Sequence, residues 1–181
     1  GSKADFKTND KGVTVLLPKK LTWDTEHTVT IDYTATPRKG LYFIGWNDPN
    51  NLSRKQIWTQ GQAIDNRYWI PSFDYMSDKL ISELKIKFDA KYQGLSNGVL
   101  LSNKKQKDGT ILWHYKMPEE HSAYLIMLGI GDYAVSKTKS KSGVKINNWY
   151  YPQFPEHVEP TYRYSARMMD WMEKEFGVPY P

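Results

Sequence analysis

Cysteine is absent from these 181 residues. Its absence excludes a thiol nucleophile, a thiolate metal site and any disulfide staple, and leaves the redox compartment open. Also missing is any apolar run near the ~20 residues that a membrane-crossing helix requires. The longest such run, Ala123 to Ile130, is only strand length. Histidine is scarce: of His27, His114, His121 and His157, no two stand four apart and none precedes a glutamate. The chain therefore does not encode the helical H-E-x-x-H arrangement, which sets two imidazoles on one face with a carboxylate beside the metal-bound water. The nearest acidic cluster, Glu119-Glu120-His121, reads as an exposed polar loop before a strand rather than a metal site. There is no G-x-S-x-G elbow and no G-x-x-x-x-G-K-S/T or G-x-G-x-x-G phosphate loop. Gly129-Ile130-Gly131 falls inside a predicted strand, not ahead of a helix. Internal repeats and low-complexity segments are lacking too.

What is present begins with charge. The net charge is +5 and the pI about 9.1, and the excess sits in Lys104-Lys105-Gln106-Lys107 and Lys137-Thr138-Lys139-Ser140-Lys141. Both clusters lie between apolar runs beside Gly109 or Gly143, as solvated hairpin loops do. A nucleic-acid surface interleaves aromatics with its cations. Neither cluster does so, and nucleic acid is set aside as the main partner. A chain of this length can bury roughly 70% of its unfolded surface and needs no staple.

Period-two alternation predicts the architecture. Val13, Val15 and Leu17 form one half-buried row; Val29, Ile31 and Tyr33 form another, opposite Thr28, Thr30, Asp32 and Thr34. Leu84, Ile86 and Phe88 make a third, and Ile111, Trp113 and Tyr115 a fourth. Ala123 to Ile130, apolar on both faces, reads as a central strand. Turn chemistry at Pro37-Arg38-Lys39-Gly40, Asp48-Pro49-Asn50-Asn51, Asn97-Gly98 and Asp108-Gly109 separates the rows. The expectation is an all-β, twisted, saddle-like antiparallel sandwich with one C-terminal amphipathic helix. Pro160 suits that helix's first turn, Tyr164, Met168, Met172 and Phe176 recur every fourth residue beside Trp171, and Gly177 and Pro179 end it. So wide an apolar stripe needs a partner, either the sandwich or a segment beyond Pro181. The seven tryptophans read as core, as at Trp113 and Trp171, with Trp23, Trp46 and Trp149 the exceptions.

The chemistry-bearing residues form an ordered series. Thr59-Gln60-Gly61-Gln62-Ala63 is followed by Arg67-Tyr68-Trp69-Ile70-Pro71-Ser72-Phe73-Asp74 and then Lys79. Ser96-Asn97-Gly98, Tyr124-Leu125, Gly131-Asp132-Tyr133 and Phe176-Gly177-Val178-Pro179-Tyr180-Pro181 come after. Over roughly residues 12 to 181 the series resembles the N-terminal domain of the zinc metallo-aminopeptidase family that includes aminopeptidase N and leukotriene hydrolase. One departure is local: the family's proline two residues after the aspartate is missing from Tyr75-Met76-Ser77-Asp78, so that loop is expected to take another shape.

Two glutamines flanking a glycine at a strand end would, alone, read as loop-capping amides. The resemblance implies that Gln60 and Gln62 reach the active site and hold the free α-amine of a peptide, with Gly61 allowing close backbone approach and Ala63 lining the first side-chain pocket. It implies an architectural role at the domain junction for Arg67, Asp74 and Lys79, with Arg67 and Asp74 as a buried or half-buried ion pair. It also implies that the zinc ligands of a full-length parent lie beyond Pro181, so that this fragment holds no cofactor and is catalytically silent. Gly1-Ser2 then reads as a cloning scar, 3–158 as the sandwich, and 159–181 as the first helix of a thermolysin-like catalytic domain that packs on that helix. Peptide N-termini are the parent's partners. Other readings are a stand-alone β-sandwich module for polysaccharide or protein, and a scaffold domain of an inactive relative. Compartment stays open, with a periplasmic or extracytoplasmic one slightly favoured.

Overall fold

The computed structural model describes residues 3–10, 12–17, 19–22, 24–73 and 75–180. Gly1-Ser2, Trp23 and Asp74 lie outside them, so the scar, one of the three exceptional tryptophans and one junction residue are not placed.

Among the described residues eleven strands occur: β1 (Asp5–Asn9), β2 (Gly12–Leu16), β3 (Gly40–Ile44), β4 (Gln56–Gln60), β5 (Lys79–Asp89), β6 (Gln93–Ser96), β7 (Val99–Lys105), β8 (Thr110–Ser122), β9 (Leu128–Gly131), β10 (Ala134–Lys139) and β11 (Lys145–Tyr150). Every pairing among them is antiparallel. One sheet runs β3-β4-β9-β6 and another β5-β8-β7, while β1-β2 and β10-β11 are separate hairpins. Leu41, Ile57 and Ile130 from the first sheet meet Ile86, Trp113 and Tyr115 from the second, with Tyr92 between, in one buried cluster. This is the expected sandwich.

The joint between the sheets is tight for a stated reason. A Cβ on Gly94 of β6 would lie 2.8 Å from the Trp113 indole, so only glycine lets the second sheet's tryptophan approach this closely. Trp113 is 2% exposed, and the Tyr115 hydroxyl donates to the Gly94 carbonyl at 2.9 Å. Trp46, expected outside the core, is half-buried against it: its ring meets Phe88 edge-on, and its Nε1–H donates to the Gln56 carbonyl at 3.0 Å. Trp149 is likewise half-buried, edge-on to Tyr133.

Two expected strands take other forms. Residues 28–34 have no regular secondary structure. Ala123 to Ile130 is not one central strand: Ala123–Leu125 is a 3-10 turn, and β9 starts only at Leu128. Side chains from other segments bind the peptide groups of 123–127 there, and these bonds replace a ladder. Glu119, Glu120 and His121 form the end of β8 rather than a preceding loop. His121 is buried, one ring nitrogen bonded to Ser82 Oγ at 3.1 Å and the other to the Glu119 carbonyl at 2.9 Å.

The C-terminal helix comes in two pieces, α1 (Val158–Tyr162) and α2 (Ser165–Phe176), and ends at Gly177 with φ +69°, a left-handed cap that glycine adopts without strain. The Tyr162 hydroxyl donates to the Trp149 carbonyl at 3.0 Å, tying α1 to β11. On α2, Asp170 accepts from the Lys141 amide at 2.8 Å, and Glu173 accepts from the Ser142 hydroxyl and the Tyr180 amide, bonds that hold the Glu173 carboxyl below its ordinary pKa. The polar face thus grips the β10-β11 loop. Tyr164, Met168, Trp171, Met172 and Phe176 stay exposed, Trp171 against the expectation that it joins the core.

Candidate functional site

Gln60 is the last residue of β4, opposite Gly40 of β3. The chain then turns through Gly61, Gln62 and Ala63 into a 3-10 turn, Asp65–Tyr68. Little freedom remains in that turn. A Cβ on Gly61 would lie 2.4 Å from both the Tyr124 carbonyl and Asn66 Oδ1, and one on Gly40 would lie 2.1 Å from the Asp65 carbonyl. Ala63 sits at φ +63°, a conformation an L-residue adopts at some cost. The Ile64 amide closes the turn on the Gln62 carbonyl at 3.0 Å.

Asn66 is what fixes this loop. It is 1% exposed, and each of its amide atoms is used: Nδ2 donates to the carbonyls of Ala123 at 2.8 Å and Ile126 at 2.9 Å, while Oδ1 accepts from the Trp69 indole at 2.9 Å. Asn97, in Ser96-Asn97-Gly98, grips the same segment from the other side. Its Nδ2 donates to the Leu125 carbonyl at 3.0 Å and its Oδ1 accepts from the Met127 amide at 2.5 Å. Ser96 Oγ donates to the Met127 carbonyl, and Thr59 Oγ1 accepts from the Leu128 amide. Segments far apart in the chain meet here, and together they immobilise the base of the Gln60–Gln62 loop.

On that base the two glutamines are exposed and adjacent. Gln60 Nε2 donates to Gln62 Oε1 at 3.4 Å, which leaves carbonyl lone pairs for an outside donor. Ala63 is exposed beside them. Of the junction residues, Lys79 Nζ donates to Ser122 Oγ at 2.9 Å, and that hydroxyl donates to the Met76 carbonyl at 2.7 Å, so Lys79 fastens the 75–78 loop to the end of β8. Arg67 is exposed on the 3-10 turn; its expected pairing with Asp74 falls outside the described residues. Among the described residues no group of three His, Cys, Asp or Glu could hold a metal, and no helix is long and apolar enough to cross a membrane.

Sequence reasoning missed Asn66. It stands between the charged Asp65 and Arg67, so nothing local marks it as buried. Asn97 stood out only as a turn residue, although Gly98 beside it, at φ +77°, makes the turn while Asn97 clamps.

The structure is thus a two-sheet antiparallel sandwich with paired amides at a braced strand end. The chain matches the peptidase M1 N-terminal domain over residues 2–125 and belongs to that family, which is zinc-dependent in general. It is 26% identical over 172 residues to endoplasmic reticulum aminopeptidase 1 of Mus musculus, covering 93% of this chain and 18% of that protein. It is 25% identical over 148 residues to the puromycin-sensitive aminopeptidase of Caenorhabditis elegans, covering 79% and 15%. With the leucyl aminopeptidase of Saccharolobus solfataricus it shares 26% over 157 residues, covering 84% and 19%. The chain spans less than a fifth of the length of each of these relatives.

Proposed function

We propose that this chain is the substrate-anchoring N-terminal domain of a zinc-dependent aminopeptidase that removes N-terminal residues from peptides. The observation that carries this reading is the exposed Gln60–Gln62 pair on a loop base fixed by Asn66 and Gly61. A peptide's α-ammonium brings three donors, and two side-chain carbonyls accept from it without needing a counter-charge. Preorganised acceptors set which peptide bond meets the catalytic centre, and this restricts cleavage to the chain end. A zinc ion held elsewhere in such an enzyme would supply an activated water. The described residues offer it no ligand set, so this chain's share is binding and orientation. Ala63, beside the pair, lines the pocket for the first side chain, and Arg67 and Lys79 brace the junction.

The exposed apolar face of α2 supports a boundary near residue 158, with 159–181 opening the catalytic domain that covers this face. Gln60→Ala with Gln62→Ala, in a polypeptide extended through that domain, raises KM for free-amine substrates about tenfold or more. N-acylated peptides are not gained or lost in parallel. Steady-state kinetics on both substrate types check this, and an unchanged KM for free amines overturns the role.

A further inference from the structure

Alternation along β4 sorts its residues onto two faces. Ile57, 3% exposed, points into the core, so Trp58 and Gln60 share the outward face, about 7 Å apart along the strand. Trp46 and Trp69 pack against the core and donate their indole N–H groups within the domain. Trp58 instead stays 38% exposed, next but one to the glutamine pair. Its ring is held in place. Tyr42 faces it in the β3-β4 ladder, and the two rings stack with centroids 4.8 Å apart and planes 27° apart. On its other side the ladder partner is Gly129 of β9, and the Met127 methyl lies 3.5 Å from where a Cβ on that glycine would be. Tyr42, Trp58 and Met127 thus form an apolar shelf across three chain segments, and it borders Gln60. The Met127 main chain is gripped by Ser96 and Asn97, the residues that also brace the glutamine loop.

From this placement we infer that the Tyr42–Trp58 shelf receives the first side chain of the bound peptide and selects peptides that begin with an aromatic or long aliphatic residue. The inference rests on the anchoring role proposed for Gln60 and Gln62. An ammonium held by those amides carries its side chain on the adjacent carbon. The short step from Gln60 to Trp58 then brings a phenylalanine ring within the roughly 4.5–7 Å over which aromatic rings attract. The Met127 thioether is unbranched and adapts to a leucine or methionine side chain. Alanine and glycine are too short to touch the shelf. A charged side chain gains nothing there, since none of the three shelf residues is charged and its lost hydration goes uncompensated. Ala63 borders the same pocket from the loop, and Trp58 supplies its floor.

Steady-state kinetics in a polypeptide extended through the catalytic domain test this, on aminoacyl substrates that differ only in the first side chain. Trp58→Ala lowers kcat/KM about tenfold for phenylalanyl and leucyl substrates and leaves alanyl substrates within about twofold. Trp58→Phe keeps a flat apolar face and retains most of the preference. If Trp58→Ala does not fold, Trp58→Leu keeps an apolar side chain without the flat face, and the loss then falls on phenylalanyl substrates. An unchanged preference in the folded variant overturns the inference. So does a loss equal for every first residue, because an indole that only packs against another domain affects all substrates alike. Failure of the anchor is read separately: Gln60→Ala with Gln62→Ala then leaves KM unchanged even for alanyl substrates, which never touch the shelf, and this inference falls with it.

Discussion

The loop base under Gln60 and the outer face of α2 invert the usual arrangement of a protein. The first buries an amide, Asn66, among backbone carbonyls and an indole. The second exposes Tyr164, Met168, Trp171, Met172 and Phe176. Burying the polar group is tolerable because every one of its bonds is made inside the domain. No described contact covers the apolar stripe of α2. The contrast separates a polar group whose partners are all within the domain from an apolar face that no described contact covers: the clamp holds the candidate site's geometry, and the helix face stays open.

Breaking the clamp gives the largest effect. Asn66→Leu keeps the branched shape but strands the carbonyls of Ala123 and Ile126 and the Trp69 N–H, at a cost of about 3 kcal/mol. A urea titration measures it, and unchanged stability would remove the claim that the amide fixes the loop. Gly61→Ala follows at about 2 kcal/mol, because the new methyl meets the Tyr124 carbonyl and Asn66 and one of them must move. The opposite region behaves differently: Trp171→Glu changes the stability of this chain by no more than about 0.5 kcal/mol. It lowers binding of a hydrophobic dye, and in a longer polypeptide it disrupts domain packing. A large destabilisation of the 181-residue chain would mean that the stripe is internal after all.

The smallest effect lies outside both regions, at the β7-β8 turn. Bonds from Lys87 Nζ at 2.7 Å and from Thr110 hold the Asp108 carboxyl well below its usual range. A depressed folded pKa stabilises the native state above the unfolded value, about pH 4, and that contribution is lost as pH falls through the folded value. Melting curves from pH 6 to 3 should show a slightly shallower acid loss for Asp108→Asn than for the parent. The group is exposed, so salt reduces the difference.

The legibility of the sequence followed the range of the interactions. β5 and β8 were readable because alternation is local and each buries one face; β2 was readable by the same alternation, although Val13, Leu16 and Leu17 stay exposed instead of forming a half-buried row. Gly177 as a helix end was readable because a left-handed cap is a property of one residue. The glutamine pair stood out through ordered motifs, but nothing local revealed the amide beneath it. Segment 123–127 was misread because its apolar run is compatible with a strand, and only side chains from positions 66, 96 and 97 divert its peptide groups. His121 was misplaced for the same reason, since its bond to Ser82 spans 39 residues.

By itself, then, the sequence determined the antiparallel class, the positions of β2, β5 and β8, the helix and its stop, and the family, because these depend on periodicity, single-residue backbone preferences and ordered motifs. Only the tertiary structure decided which amide braces the loop, where β9 begins, which tryptophans are covered and which face of α2 stays open. Those outcomes depend on hydrogen bonds and contacts between residues far apart in the chain, and hydrophobic periodicity carries no information about such pairs.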